Sequence, residues 1–165
     1  MKTTLQRLLI GLLLCTGLRA TVSPALASGP SSNKAAVQAA FDAWRAGTGG
    51  PFTLLAPDAT WTITGNSIAA GTYPSRDAFI NEVIKPFNAR LAKPLVPTVK
   101  GLYEDGNTVI ALFDGEALAL DGKPYRNTYA WFMEMHEGRI VKVTAFFDAP
   151  AFDDFWKRVA PKPAP

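Results

Sequence analysis

Cysteine and histidine are nearly missing from this sequence: one of each, Cys15 and His136, in 165 residues. Cys15 lies in an N-terminal apolar run, so the remainder of the chain has no disulfide, thiol nucleophile or cysteine metal site. Without a second histidine or a cysteine beside it, His136 cannot complete a common zinc set or a nucleophile–histidine triad, and no metal is expected. A phosphate-cradling glycine loop is absent, and no cofactor is expected. Gly65-Asn66-Ser67-Ile68-Ala69 lacks the last glycine of a nucleophile elbow and has no histidine to activate its serine. The apolar run Leu8 to Leu14 is too short to span a bilayer as a helix, and Arg19 closes it.

Residues 1–27 instead have the parts of a signal peptide: Lys2 and Arg7, the apolar run, and small residues at Ala25-Leu26-Ala27. Leu14 before Cys15 is bulkier than the small residue that a lipoprotein site requires. Export to the periplasm or medium is therefore expected. Removing Lys2, Arg7 and Arg19 takes the 17 basic residues to 14, against 14 acidic ones. With net charge zero and no basic stripe, neither nucleic acid nor, after signal cleavage, a membrane surface is an expected partner.

All ten Phe, four Trp and four Tyr lie beyond the signal, ample for one core. Residues 28–33 form a polar linker, 34–160 one α+β domain and 161–165 a Pro-rich tail. Helical spacing links Val37, Ala40, Phe41 and Trp44 after a cap at Ser32 or Asn33, and a short helical turn is expected over Phe52 to Ala56. Ala59 to Thr64 alternates like a strand. Ser75 offers a cap for a helix through Phe79, Val83, Phe87 and Leu91, which Pro86 should kink or divide. Four strands follow, near Leu95–Glu104, Asn107–Ala119, Pro124–Met135 and Arg139–Asp148. Asp105-Gly106 and Asp121-Gly122 are strong two-residue hairpin turns, Glu137-Gly138 a weaker one. A last amphipathic helix carries Phe152, Phe155, Trp156 and Val159.

Two-residue turns would fix the register. Glu116 then faces Asn127, and Asn127 faces Asp148. The next rows read Asp114, Tyr129 and Phe146, then Leu112, Trp131 and Thr144. These side chains share one face, mixed aromatic and polar, as a ligand pocket requires. The other face, Ala111, Phe113, Gly115, Ala117, Thr128, Ala130, Phe132, Val143, Ala145 and Phe147, is nearly all apolar and needs cover.

Phe41-Asp42-Ala43-Trp44, Leu55-Ala56-Pro57-Asp58-Ala59-Thr60-Trp61, Tyr125-Arg126-Asn127-Thr128-Tyr129, and Glu137-Gly138-Arg139-Ile140 leading to Phe146-Phe147-Asp148 occur in an order that resembles the nuclear transport factor 2-like superfamily. Within it the chain resembles the SnoaL-like, ketosteroid-isomerase-related branch. The resemblance implies a cone in which a curved antiparallel sheet wraps N-terminal helices, with Glu116, Asn127 and Asp148 lining it. It also implies a homodimer through the apolar face.

Glu116 and Asp148, two strands apart, would stand about 10 Å from each other. A carboxyl among Tyr129, Trp131 and Phe146 would have its pKa raised, suiting a general acid or base. By analogy with the isomerase, Asp148 is a candidate base, with Tyr129 and Glu116 holding a developing oxyanion. Asn127, Trp131, Trp61, Tyr73, Asp114 and Phe146 are candidate ligand contacts. Bland readings stand beside these: Asp148 suits capping the last helix, Glu116 a rim, Asn127 a tie between strands, and the aromatics core packing. The Asp-Arg-Asp set of limonene-epoxide-hydrolase-like relatives is not reproduced, since Arg126 is expected on the face opposite Glu116. The expected function is binding of a small, largely apolar molecule in the cone. Isomerase, cyclase or hydratase chemistry would accompany it in one version, and a non-catalytic carrier is the alternative.

Overall fold

The structure, a computed structural model, describes residues 32–162. The signal peptide, most of the linker and the last three residues of the tail lie outside them. Helix α1 (Asn33–Ala46) starts at Ser32, whose hydroxyl accepts from the Ala35 N–H, and stops at Gly47. Gly47 takes φ +72°, a left-handed turn that costs glycine little. Val37, Ala40 and Phe41 are the buried face of α1.

A 3₁₀ turn (Pro51–Leu54) leads into β1 (Leu55–Ile63), so the expected helical turn ends two residues early and the strand begins four residues early. The short strand β2 (Gly71–Tyr73) was not anticipated. Helix α2 (Arg76–Phe79) continues through a π-helical turn (Ile80–Ile84) into α3 (Lys85–Asn88). Pro86 lacks an N–H, and the helix passes it by local π-type bonding instead of breaking.

The last four strands are β3 (Leu91–Asp105), β4 (Thr108–Ala119), β5 (Pro124–His136) and β6 (Arg139–Phe147), followed by α4 (Ala149–Arg158). They join β1 and β2 in a six-stranded curved sheet of order β2-β1-β6-β5-β4-β3, in which β1 and β6 run parallel and the other neighbours antiparallel. The fold is thus the α+β cone of the nuclear transport factor 2-like type.

Two expected registers shift by one residue. The β4–β5 connection closes on Ala119 and Lys123, giving a three-residue loop in which Gly122 takes φ +79° and Asp121 does not take positive φ. Glu116 therefore pairs with Arg126, and Gly115 with Asn127. The β5–β6 turn has two residues, Glu137 and Gly138, both at positive φ as a type I′ turn requires. A bulge then follows: Met135 pairs with Ile140 but Glu134 with Lys142, so beyond Val141 the register slips and Tyr129 faces Phe147.

Since alternate residues point to opposite sides, these slips exchange faces. Much of the face expected to need cover, Ala111, Phe113, Gly115, Val143, Ala145 and Phe147, turns inward with Asn127, Tyr129, Trp131 and Met133. Glu116, Asp114 and Phe146, expected to share a face with Tyr129, lie outside with Arg126, Thr128, Ala130 and Phe132.

Candidate functional site: an aromatic cavity

Between the inner face of the sheet and the helical segments lies a cavity of about 560 Å³. Trp131 stands at its centre on β5. Trp44 from α1 stacks against it, ring centroids 5.9 Å apart at 18°, while Trp61 from β1 meets it edge-on at 4.9 Å. Trp61 in turn lies flat on Phe79 of α2, with centroids 4.0 Å apart. Phe52, Phe87, Phe147 and Phe152 complete the aromatic walls. The wall contains no Asp, Glu, Lys, Arg or His among the described residues; its one titratable side chain is Tyr129.

Tyr129 belongs to a buried polar chain. Its hydroxyl lies 2.7 Å from that of Tyr125, which accepts from Asn127 Nδ2 at 3.0 Å. Asn127 is pinned to the backbone of Asp148: its Oδ1 accepts from the Asp148 N–H at 2.9 Å, and its Nδ2 donates to the Asp148 carbonyl at 3.0 Å. Burial pushes the Tyr125 phenol up to about 12, against the lowering effect of its hydrogen bonds with Tyr129 and Asn127. Burial, reinforced by Tyr125, raises Tyr129 well above the ordinary phenol range. Both therefore remain protonated at neutral pH.

The structure separates the candidate residues. Trp61, Tyr129 and Trp131 line the cavity together, and Asn127, only 6% exposed, supports it from behind. Tyr73 packs on Phe79 from outside the lining and donates its hydroxyl proton to the Ala69 carbonyl at 2.8 Å. Glu116 is exposed and forms an ion pair with Arg126 at 2.8 Å, so Arg126 lies beside it and not on the opposite face. Asp114 bonds Thr128 and Lys100, each at 2.7 Å, and these bonds hold its pKa down. Phe146 is 46% exposed and packs on Phe132. Asp148 is exposed and caps α4, accepting from the Ala151 N–H at 3.2 Å. The expected enclosure of Glu116 and Asp148 between strands is thus replaced by an exposed outer pair and a helix cap. Tyr125 was missed, although the alternation Tyr125, Asn127, Tyr129, Trp131 places all four on one side of a strand. Trp61 Nε1 is the one buried side-chain polar atom without a partner among the described residues.

Comparison with known proteins agrees with this architecture. The profile of the SnoaL-like domain matches residues 37–143. The chain belongs to the SnoaL-like family. A nuclear transport factor 2-like protein from Burkholderia thailandensis superposes with a TM-score of 0.62 at 21% identity, over 75% of this chain and 96% of that one. One from Burkholderia pseudomallei gives 0.63 at 20%, over 75% and 97%. TerC, co-crystallised with polyporic acid, gives 0.61 at 19%, over 76% and 98%. At these identities the likeness concerns the SnoaL-like fold alone. No curated protein sequence matches.

Proposed function

We propose that this SnoaL-like chain is an exported binding protein that holds a small, uncharged, largely apolar molecule in its aromatic cavity. The observation that carries the reading is the lining: a 560 Å³ space walled by indole and phenyl rings, with no carboxylate or imidazole on it among the described residues. Apolar walls with sparse polar groups suit neutral ligands, and a charged ligand would lose its hydration without gaining a counter-ion. Acid–base turnover needs a group that gains or loses a proton within reach of the substrate. Tyr129 is protonated far above neutral pH, and Glu116 and Asp148 lie elsewhere, which favours a carrier over an isomerase, cyclase or hydratase. The co-crystal of TerC with polyporic acid supports a small-molecule occupant in this fold. The signal-like first 27 residues support export.

The test uses protein released by cells, whose mass shows whether the chain begins at Ser28. Titration with N-phenyl-1-naphthylamine, a neutral apolar fluorophore, should give saturable one-to-one binding and quench Trp44, Trp61 and Trp131. Val83→Phe, which adds a ring to the wall, should weaken that binding. Absence of saturable binding, or equal binding by the variant, would refute the cavity as the site.

A further inference from the structure

We propose that Gly49 and Gly50 form a sill without side chains at the mouth of the cavity, and that this sill sets how fast ligands enter and leave. The proposal rests on the cavity being a ligand site and concerns the route into it.

Exposure locates the mouth. Most residues that line the cavity are buried or half-buried, and the exposed ones are Gly49, Thr53, Asn88, Ala92 and Pro94. They fall in two stretches, one following α1 and one running from the end of α3 into β3. Where α4 meets the cavity, Phe152 is only 4% exposed, so that side is shut. The two exposed stretches are neighbours in space. Helix α1 packs against β3, and in its first turn the Lys34 N–H donates to the carboxylate of Glu104, near the far end of that strand. The 14 residues of α1, at about 1.5 Å each, carry the chain back by about 21 Å. About six strand residues cover the same distance, which brings Gly47 to Gly50 beside the Pro94 to Pro97 portion of β3.

The glycines at 49 and 50 answer no local need. Neither takes the left-handed conformation that Gly47 does, and Gly50 is extended at φ 167° and ψ 174°. A Cβ on Gly49 would meet the Ala43 Cβ at 3.5 Å, and one on Gly50 the Trp44 side chain at 3.5 Å, both ordinary van der Waals contacts. Glycine in such places gives up more conformational entropy on folding than alanine would. What the two residues leave free is the approach to Trp44, an indole of the cavity wall. On the opposite border Ala92 is nearly as small. The sill is anchored on its own side: the Thr48 N–H donates to the Ala43 carbonyl at 2.9 Å, and the Thr53 N–H and hydroxyl both donate to the Gly50 carbonyl, at 3.0 and 2.7 Å. Among the described residues no hydrogen bond joins 47–53 to 84–95. A ligand can therefore pass without breaking one, and side-chain bulk alone sets the width of the gap.

Stopped-flow fluorescence with N-phenyl-1-naphthylamine reads the rates. Gly49→Leu should slow association and dissociation alike, by about tenfold each, and leave Kd within about threefold, because a mouth residue meets the ligand in passage and not at rest. Ala92→Leu, on the opposite border, should do the same. Gly49→Ala and Gly50→Ala should have urea midpoints at or above the native one. Gly49→Ala should also slow exchange by about twofold, and it decides the matter if Gly49→Leu does not fold. Rates unchanged by Gly49→Leu or by Ala92→Leu would overturn the proposal and leave the cavity reading intact. So would a weaker Kd with association unchanged, the mark of a wall residue, or a lowered urea midpoint in either alanine variant, the mark of a glycine that the loop requires. If the native protein shows no saturable binding, the cavity reading fails and this proposal with it.

Discussion

Tyr125 and Tyr129 are acids whose neutral forms the fold prefers, and this has a measurable consequence. Between the ordinary tyrosine value of 10.0 and the folded value of about 12, the unfolded chain has released the Tyr125 proton and the folded chain still holds it. The unfolded state then binds fewer protons, so stability falls as pH rises through this window and is unaffected below it. Each unit of difference is worth about 1.4 kcal/mol, so Tyr125 alone accounts for about 2 kcal/mol by pH 12. Tyr125→Phe should therefore be less stable than the native protein at pH 8, with the two urea-denaturation curves converging by that amount toward pH 12. Curves that stay parallel would show that the phenol is not buried as described. Residue identity alone gave partial sight of this site. Trp61, Tyr129 and Trp131 could be picked out as large aromatics on strands, but Glu116 and Asp148 were selected for their chemistry, and chemistry does not say which side of a sheet a carboxylate occupies.

At the scale of elements, Asp148 ends β6 and starts α4, and its side chain accepts from the Ala151 N–H. Replacing an N-cap carboxylate with a methyl group costs about 1 kcal/mol, whereas asparagine caps almost as well as aspartate. Asp148→Ala should lower stability by about that amount and Asp148→Asn by only a few tenths, read from urea midpoints. A comparable loss in both would mean that the carboxylate's charge matters, not its cap. The order of strands from β3 onward and the caps at Ser32 and Ser75 were legible, because caps and periodicity are local signals, whereas the helix expected to run through Leu91 ends at Asn88 and Leu91 opens β3. Register was not. Asp121-Gly122 fits both a two-residue I′ turn and the three-residue loop that forms, and their difference of one residue moves Glu116 from Asn127 to Arg126. The bulge at Val141 left no mark at all, since Ile140-Val141-Lys142-Val143 alternates acceptably either way. The weakest turn signal, Glu137-Gly138, formed the expected turn because glutamate accepts φ +48° when followed by glycine and closed by His136 and Arg139.

For the molecule as a whole, one side of the sheet is occupied by helices and the cavity, which leaves the outer side without cover among the described residues. Its middle is apolar: Tyr103, Ile110 and Phe132 form one row, Leu112, Ala130 and Phe146 the next. Tyr103 is 58% and Phe132 38% exposed. The charges around this patch are already paired within the chain, Glu116 with Arg126, Asp114 with Lys100 and Glu134 with Lys142, so a partner need bring no net charge. An apolar centre with a neutralised rim is what association with a second copy of this chain would require. We propose that two copies pair through this face. It is not the face first expected to do so, whose Phe113, Ala145 and Phe147 are turned inward. Sedimentation equilibrium should find a dimer. The double variant Phe132→Lys, Phe146→Lys should be monomeric and still bind N-phenyl-1-naphthylamine, because neither ring touches the cavity. A native protein that sediments as a monomer would refute pairing while leaving the cavity untouched. Loss of fluorophore binding in a folded double variant would instead show that the two faces of the sheet are coupled, with the inner aromatic wall held in place only when the outer face is covered.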